Sequence, residues 1–309
     1  MRILITGGAG FLGSVLVQHL LATTDHDLTV LDRFDHGCTL PLACQSPRVQ
    51  YIRDDILDLP MSQLVLNHEL LIHLAGLVGY PACARNPKQA RLDIVETTKK
   101  LCQWFRHHSR PIIHASTGSV YGECDAICDE SHPCNPLSLY GQLKLEAEQL
   151  VTAAGGVNLR LATLCGVSPV MRLDLLPNNF VYQAIHQRYI VLYQPHARRT
   201  FLSVQDAAEA FRLAIDNFNS LRSTCVNVGS QNLNMTKRQI AEAVMRAHPY
   251  KLIEGGDEKD PDGRDYEVNY DRFRNATGFT STVSMDSVIQ DVGKVVMLMK
   301  PNSPWRLAY

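Results

Sequence analysis

No apolar run in the 309 residues approaches the roughly 20 needed to cross a bilayer, so no membrane span is expected. Lysine and arginine never run longer than a pair. With a formal net charge of -1 at pH 7, no global field favours nucleic acid or a membrane surface. The first residues already read as a strand, so no signal peptide is expected. Internal repeats and low-complexity tracts are missing too. The nine cysteines are an odd number spread along the chain, which suits free thiols in a reducing cytoplasm rather than a disulfide scaffold. Cys124, Cys128, His132 and Cys134 lie close in sequence, but their spacing matches no common zinc pattern, and no metal is expected.

What is present is a globular composition, 45% hydrophobic and 20% charged, long enough for one large domain or two modest ones. Short aliphatic runs at 3–6, 28–31, 49–52, 70–74, 111–115 and 158–164 alternate with amphipathic stretches, clearest at 88–107 and 140–154. Such alternation predicts βαβ units, and runs without a polar face predict strands buried on both sides of a parallel sheet. Beyond about residue 165 the rhythm loosens. A helix is expected at 180–187, a strand and helix over 201–217, and a strand at 226–229; a helix capped by Thr236 and a loop over 254–270 follow. The predicted fold class is α/β, a doubly wound parallel sheet with a smaller C-terminal lobe. Residues 1–168, with 200–228 returning, would form the first part, and 169–199 with 229–309 the second.

Strand, glycine turn and helix follow one another in Ile3-Leu4-Ile5-Thr6-Gly7-Gly8-Ala9-Gly10-Phe11-Leu12-Gly13. Gly7 permits the sharp turn, Gly10 lets backbone approach a pyrophosphate, and Gly13 lets helix pack close on strand. The helix start at Phe11 and Leu12 offers N–H groups to phosphates. Asp32 ends the next run, where a carboxylate binds ribose hydroxyls and repels a 2′-phosphate, which favours NAD. Arg33 beside it keeps NADP open, because a guanidinium there can hold that phosphate. Asp55 suits the adenine amino group and Ile56 the adenine ring. Leu74, Ala75 and Gly76 end the fourth run, where small residues let the chain pass a dinucleotide. Together these residues predict a Rossmann-type NAD site.

Ser116-Thr117-Gly118-Ser119 ends the fifth run, at the sheet edge where ligands of open α/β sheets bind. Tyr140 and Lys144 then stand four apart on a helix, on one face. A tyrosine with its unperturbed pKa of about 10 is a poor base near neutrality. A neighbouring ammonium and a nicotinamide cation both favour the phenolate. Thr117 would bind the same substrate oxygen and orient it for hydride loss.

The motifs TGGAGFLG, HLAG, STGSVYG and YGQLK, in this order, resemble those of the extended short-chain dehydrogenase/reductases, the NAD-dependent nucleotide-sugar epimerases and dehydratases. The resemblance covers essentially the whole chain. It implies a nucleotide-sugar substrate, Thr117, Tyr140 and Lys144 as catalytic residues, and contacts to substrate from Gly118 and Ser119. It also implies that Asn178 and Asn179, in Pro-Asn-Asn-Phe, and Arg199 and Arg264 grip the nucleotide diphosphate. A homodimer is implied as well. The family's dehydratases carry an Asp/Glu pair directly after the threonine, its decarboxylases a Glu and its 3,5-epimerases a Cys before the VYG tyrosine. Gly118 and Ser119 stand at those places, which leaves oxidation, reduction or epimerisation at C4. Longer segments, VGYPACARNP and RLATLCGVSPVMRLDLLPNNFVYQAI among them, are most similar to a subgroup acting on capsular and O-antigen sugars. GDP-heptose 4-dehydrogenases are its nearest members. A 4-epimerase with tightly bound NAD is the alternative, and a catalytically silent NAD-sensing protein a third. Asp93 stands where the family usually has Asn.

Overall fold

The continuous aliphatic runs become the parallel strands that their lack of a polar face requires. The structure, a computed structural model, describes residues 1–36, 44–123, 127–255 and 266–301. In chain order the strands are β1 (Arg2–Thr6), β2 (Asp27–Asp32), β3 (Val49–Arg53), β4 (Leu70–His73), β5 (Ile112–Thr117), β6 (Ile127–Cys128) and β7 (Val157–Leu161). They continue with β8 (Thr163–Cys165), β9 (Tyr189–Leu192), β10 (Arg198–Ser203), β11 (Cys225–Val228), β12 (Asn234–Thr236), β13 (Lys251–Glu254) and β14 (Glu267–Val268). The helices are α1 (Phe11–Thr23), α2 (Met61–Asn67), α3 (Tyr80–Arg85), α4 (Pro87–Arg91), α5 (Thr97–His107) and α6 (Leu139–Ala153). After them come α7 (Leu176–Tyr182), α8 (Val204–Asp216), α9 (Phe218–Leu221), α10 (Lys237–Ala247), α11 (Asp271–Thr277) and α12 (Met285–Leu298).

Seven strands form one sheet in the order β11-β7-β5-β4-β1-β2-β3, every pair parallel. On one face Leu16, Val17 and Leu20 of α1 and Ala207, Ala208 and Phe211 of α8 share a core with Ile3, Ile5 and Val30 of the sheet. On the other, Leu101 and Phe105 of α5 and Val151 of α6 meet Leu4, Leu71 and Ile112. This is the doubly wound Rossmann-type arrangement, and the strand order reverses between β1 and β4. A ligand cleft is expected outside the carboxyl ends of those two strands. A second apolar cluster joins Phe180 and Val181 of α7, Ile190 of β9, Ile240 and Val244 of α10, and Ile289 and Val292 of α12. No helix among the described residues is long and apolar enough to cross a membrane.

The run 158–164 is two strands, not one. Residues through Leu161 pair with β5 and β11, and the chain then leaves the sheet at Ala162 so that β8 can pair with β10. The helix expected at 180–187 begins earlier, at Leu176, with Pro177 in its first turn where a missing N–H costs nothing. It ends in a π-turn, Gln183–Gln187. Thr236 caps α10 as expected, in a capping box with Gln239. The expected 254–270 loop holds β14, which pairs with β6, while β13 ends at Glu254 on β9; residues 256–265 lie outside the described ones. Cys124 of the cysteine cluster lies outside them as well. Among the described residues no three His, Cys, Asp or Glu side chains are grouped to hold a metal.

Candidate active site

The first turn of the site is built by chain geometry. Gly7 has φ +73°, and a Cβ there would stand 2.6 Å from the Ala75 nitrogen, so the turn presses against the end of β4. A Cβ on Gly13 would lie 2.3 Å from the Gly7 oxygen and 2.5 Å from Gly8 Cα. Only glycine lets α1 start this close to the strand that precedes it. The start, Gly10, has no side-chain cap, which leaves the first-turn N–H groups available to an anion. Asp32 is steered onto the turn: its Oδ2 accepts from the Ala9 N–H at 2.9 Å and its Oδ1 from the Phe34 N–H at 2.8 Å. The backbone thus has the form a dinucleotide pyrophosphate needs, with a carboxylate in register for the ribose.

One cavity of about 370 Å³ follows from there along the ends of the strands. Gly7, Gly10, Phe11, Leu12, Gly13, Asp32, Arg33, Asp55, Ile56, Leu74, Ala75 and Gly76 all line it, as do Thr117, Ser119, Tyr140 and Lys144. The nucleotide and reaction residues read from the sequence therefore share one space. Gly118, Asn178, Asn179 and Arg199 are not part of its lining, and Arg264 lies outside the described residues. A Cβ on Gly118 would come 3.0 Å from the Tyr266 hydroxyl. The Asn178 side chain braces backbone: Oδ1 accepts from the Gly166 N–H, and Nδ2 donates to the Gly166 and Arg172 oxygens, each at 3.0 Å. Asn179 donates to the Leu173 oxygen at 2.9 Å, and Arg199 to the Arg198 oxygen at 3.0 Å.

At the reaction end, Ser138 caps α6 by accepting from the Gly141 N–H at 3.2 Å, which sets Tyr140 in the first turn and Lys144 one turn on. Lys144 is 3% exposed and its Nζ donates to the Ala115 oxygen at 2.9 Å. It also stands 3.3 Å from His114 Nε2. Because the Asn158 Nδ2 donates to the Glu148 oxygen and Thr152 Oγ1, the Asn158 Oδ1 is left to accept from His114 Nδ1, at 2.8 Å. The imidazole is thereby held with Nε2 free to accept from Lys144. Burial keeps His114 neutral, well below its usual range, with the Lys144 charge adding to the effect. His73, stacked on it at 5.5 Å, is pushed down to about 3 by burial and then by Lys144. Burial also lowers Lys144 to about 8, against the raising influence of Cys83 and Glu148. Thr117 Oγ1 accepts from the Ser119 N–H and donates to Ser119 Oγ, both at 3.1 Å.

Behind this layer Arg160 and Glu148 form a buried pair, Nη2 to Oε2 at 2.8 Å, with Ser116 donating to Glu148 and Arg160 donating to Tyr121. The pair ties α6 to β5 and β7. These partners lie far apart in sequence, and single-residue reading missed them. Arg172 was missed too: it lines the cavity and pairs with Asp174 at 2.5 Å. Its one available signal was a charge set in an otherwise apolar segment.

Lys144 makes a prediction possible without substrate. Its ordinary value of 10.5 falls to about 8 in the fold, so between these pH values the unfolded chain holds a proton that the folded one has released. The cost of the buried ammonium is thus borne in full below about pH 8 and fades as pH rises toward 10.5. Lys144→Met should therefore melt at higher temperature at pH 7, by on the order of 1 kcal/mol after the lost hydrogen bonds are counted. The gain should shrink between pH 8 and 10.5. Melting curves of both proteins across that range check this, and a difference independent of pH would contradict it.

A glycine turn with a ribose carboxylate at one end of a cleft and a Tyr–Lys pair at the other defines an NAD-binding enzyme of Rossmann-type fold. The sequence profile of the NAD dependent epimerase/dehydratase family matches residues 3–229, and the chain belongs to that family. Its cofactor is NAD, which the glycine turn and Asp32 fit. An uncharacterized UDP-glucose epimerase of Bacillus subtilis (strain 168) is 26% identical over 253 residues, 74% of this chain and 77% of that protein. A dTDP-glucose 4,6-dehydratase of Mycobacterium tuberculosis is 28% identical over 248 residues, 76% of this chain and 75% of its own. The crystal structure of a UDP-glucuronic acid 4-epimerase from Bacillus cereus, in complex with UDP-glucuronic acid and NAD, superposes with TM-score 0.87. It covers 96% of this chain and 99% of its own at 22% identity, and so shows the same fold.

Proposed function

We propose that the chain oxidises C4 of a nucleotide-linked sugar and returns the hydride to either face, a 4-epimerisation. The observation that carries this is the meeting of Thr117, Tyr140 and Lys144 in the cleft that begins at the glycine turn. Bound NAD supplies the hydride acceptor. Tyr140 takes the proton of the C4 hydroxyl, and the Lys144 ammonium lowers the cost of its phenolate. Thr117 hydrogen-bonds the same oxygen and orients it. Arg172, at the cleft wall, is placed to meet the substrate.

Loss of water needs an acid beside Thr117. Ser119 offers only a hydroxyl and Gly118 no side chain, and a Cβ at 118 would already stand 3.0 Å from the Tyr266 hydroxyl. The lack of an acid at these two positions supports C4 chemistry without elimination. The relatives point the same way in part, since the B. subtilis and B. cereus proteins are named as epimerases. Release of a 4-keto product, as in the GDP-heptose 4-dehydrogenases, is a second reading. It is supported by the segment similar to them, of which Leu161–Leu164, Arg172 and Leu175 line the cleft. The free thiols of the described cysteines suit a cytoplasmic setting.

Incubation with UDP-, GDP-, CDP- and dTDP-sugars, followed by NMR of the products, tests the proposal. A C4 epimer from one of them is expected. A 4-keto sugar would favour the second reading, and a dehydrated or decarboxylated sugar, or no product at all, would contradict both.

A further inference from the structure

Arg33 follows Asp32 at the end of β2, where a guanidinium is the usual partner of a ribose 2′-phosphate. Here the fork is spent on carboxylates. Nη1 and Nη2 bond Oδ1 and Oδ2 of Asp93 at 3.1 and 3.4 Å. Nη1 also reaches Asp55 at 3.3 Å, and Nε pairs with Asp35 at 2.9 Å. The three partners are not equal. The Asp93 side chain is 8% exposed, against 29% for Asp55 and 55% for Asp35. Exposed pairs hold weakly, whereas a two-pronged bond to a buried carboxylate fixes the guanidinium.

Asp93 reaches Arg33 from an irregular stretch of helix. Between α4 and α5 the chain makes a π-turn, Leu92–Glu96, of which Asp93 is the second residue. Such turns occur often at functional sites. The Thr97 hydroxyl bonds the Asp93 carbonyl at 2.6 Å, and Gln89 Nε2 donates to Asp93 Oδ1 at 2.8 Å. The carboxylate is thus held from its own helix and turned across the cleft. Asp32, Asp35, Asp54, Asp55 and Asp93 all line this end of the cleft, beside Arg33 and His36.

We propose that Asp93 is a specificity-determining residue: by holding Arg33 it denies a 2′-phosphate that guanidinium, and so makes the site select NAD over NADP. The inference rests on the cofactor site described above and adds to Asp32, whose repulsion of the phosphate remains. The family's usual Asn at this place could bond Gln89 but could not neutralise Arg33.

Isothermal titration of the full chain with NAD⁺ and with NADP⁺ tests this. Asp93→Asn should raise NADP⁺ affinity relative to NAD⁺ affinity about tenfold. Asp93→Ser, which removes the charge without adding bulk, should do the same should the first variant fold poorly. Adding Arg33→Ala to either should abolish the gain, because the gain runs through the released guanidinium. A NAD⁺ to NADP⁺ ratio unchanged in both single variants overturns the proposal. A gain that survives the loss of Arg33 overturns it too. NAD⁺ binding by the unaltered chain tests the cofactor site separately.

Discussion

Tyr140→Phe is expected to lower turnover of a nucleotide sugar by about 10³-fold while leaving NAD affinity within about twofold. The substitution removes one oxygen from the first turn of α6, where the Ser138 cap is untouched, so the helix and Lys144 stay in place. What is lost is the group that, in the proposed mechanism, takes the hydroxyl proton as hydride leaves the carbon. His73 and His114 cannot substitute, because burial holds both far below the pH at which they exchange protons with substrate. Neither imidazole is in the cleft lining. Stopped-flow turnover with a substrate found in the panel, beside calorimetric NAD binding, measures both quantities. Turnover within tenfold of the unaltered protein's would remove Tyr140 from the reaction.

Gly13→Ala has the largest expected effect outside the reacting groups. The added methyl would stand 2.3 Å from the Gly7 oxygen, 2.5 Å from Gly8 Cα and 2.8 Å from the Gly8 carbonyl carbon. All three are backbone atoms of the turn and cannot step aside as a side chain can. Either α1 moves away from the sheet or the turn opens. Overpacking of this kind costs about 3 kcal/mol. It also disturbs the N–H groups at the helix start, so NAD affinity should fall by about 100-fold. Thermal melting and NAD titration check the two parts. Gly278, with nothing within 4 Å of a Cβ, is the control for a glycine whose role is conformational only; it stands at φ +74°. Gly278→Ala should lose some stability and no NAD affinity.

The glycine turn was legible because its signal is local: strand, turn, carboxylate and helix come in sequence order, and the structure keeps them so. The Tyr140–Lys144 pair was legible for the same reason, being one helical turn apart. The β7–β8 break at Ala162 was not, because it depends on which strand lies alongside, β5 or β10, and no residue there punctuates the chain. Asp93 was visible only as a departure from Asn. Its partner Arg33 lies 60 positions away, and Asp93 itself lies in a π-turn. Asn178 is a different case: the resemblance implies a ligand contact, and the bonds described for its amide go to backbone at Gly166 and Arg172. Local pattern exposes residues that are close in sequence, and leaves unseen the contacts whose partners are distant.

Hydride removal from C4 is most directly tested by a single-turnover comparison of a nucleotide sugar carrying deuterium at C4 with its unlabelled form. Breaking that C–H bond is the step assigned to the cleft of Thr117, Tyr140 and Lys144. A slower reaction of the labelled sugar, with deuterium still at C4 in the epimerised product, is the predicted result. Equal rates for the two sugars, or deuterium lost to water, would contradict it.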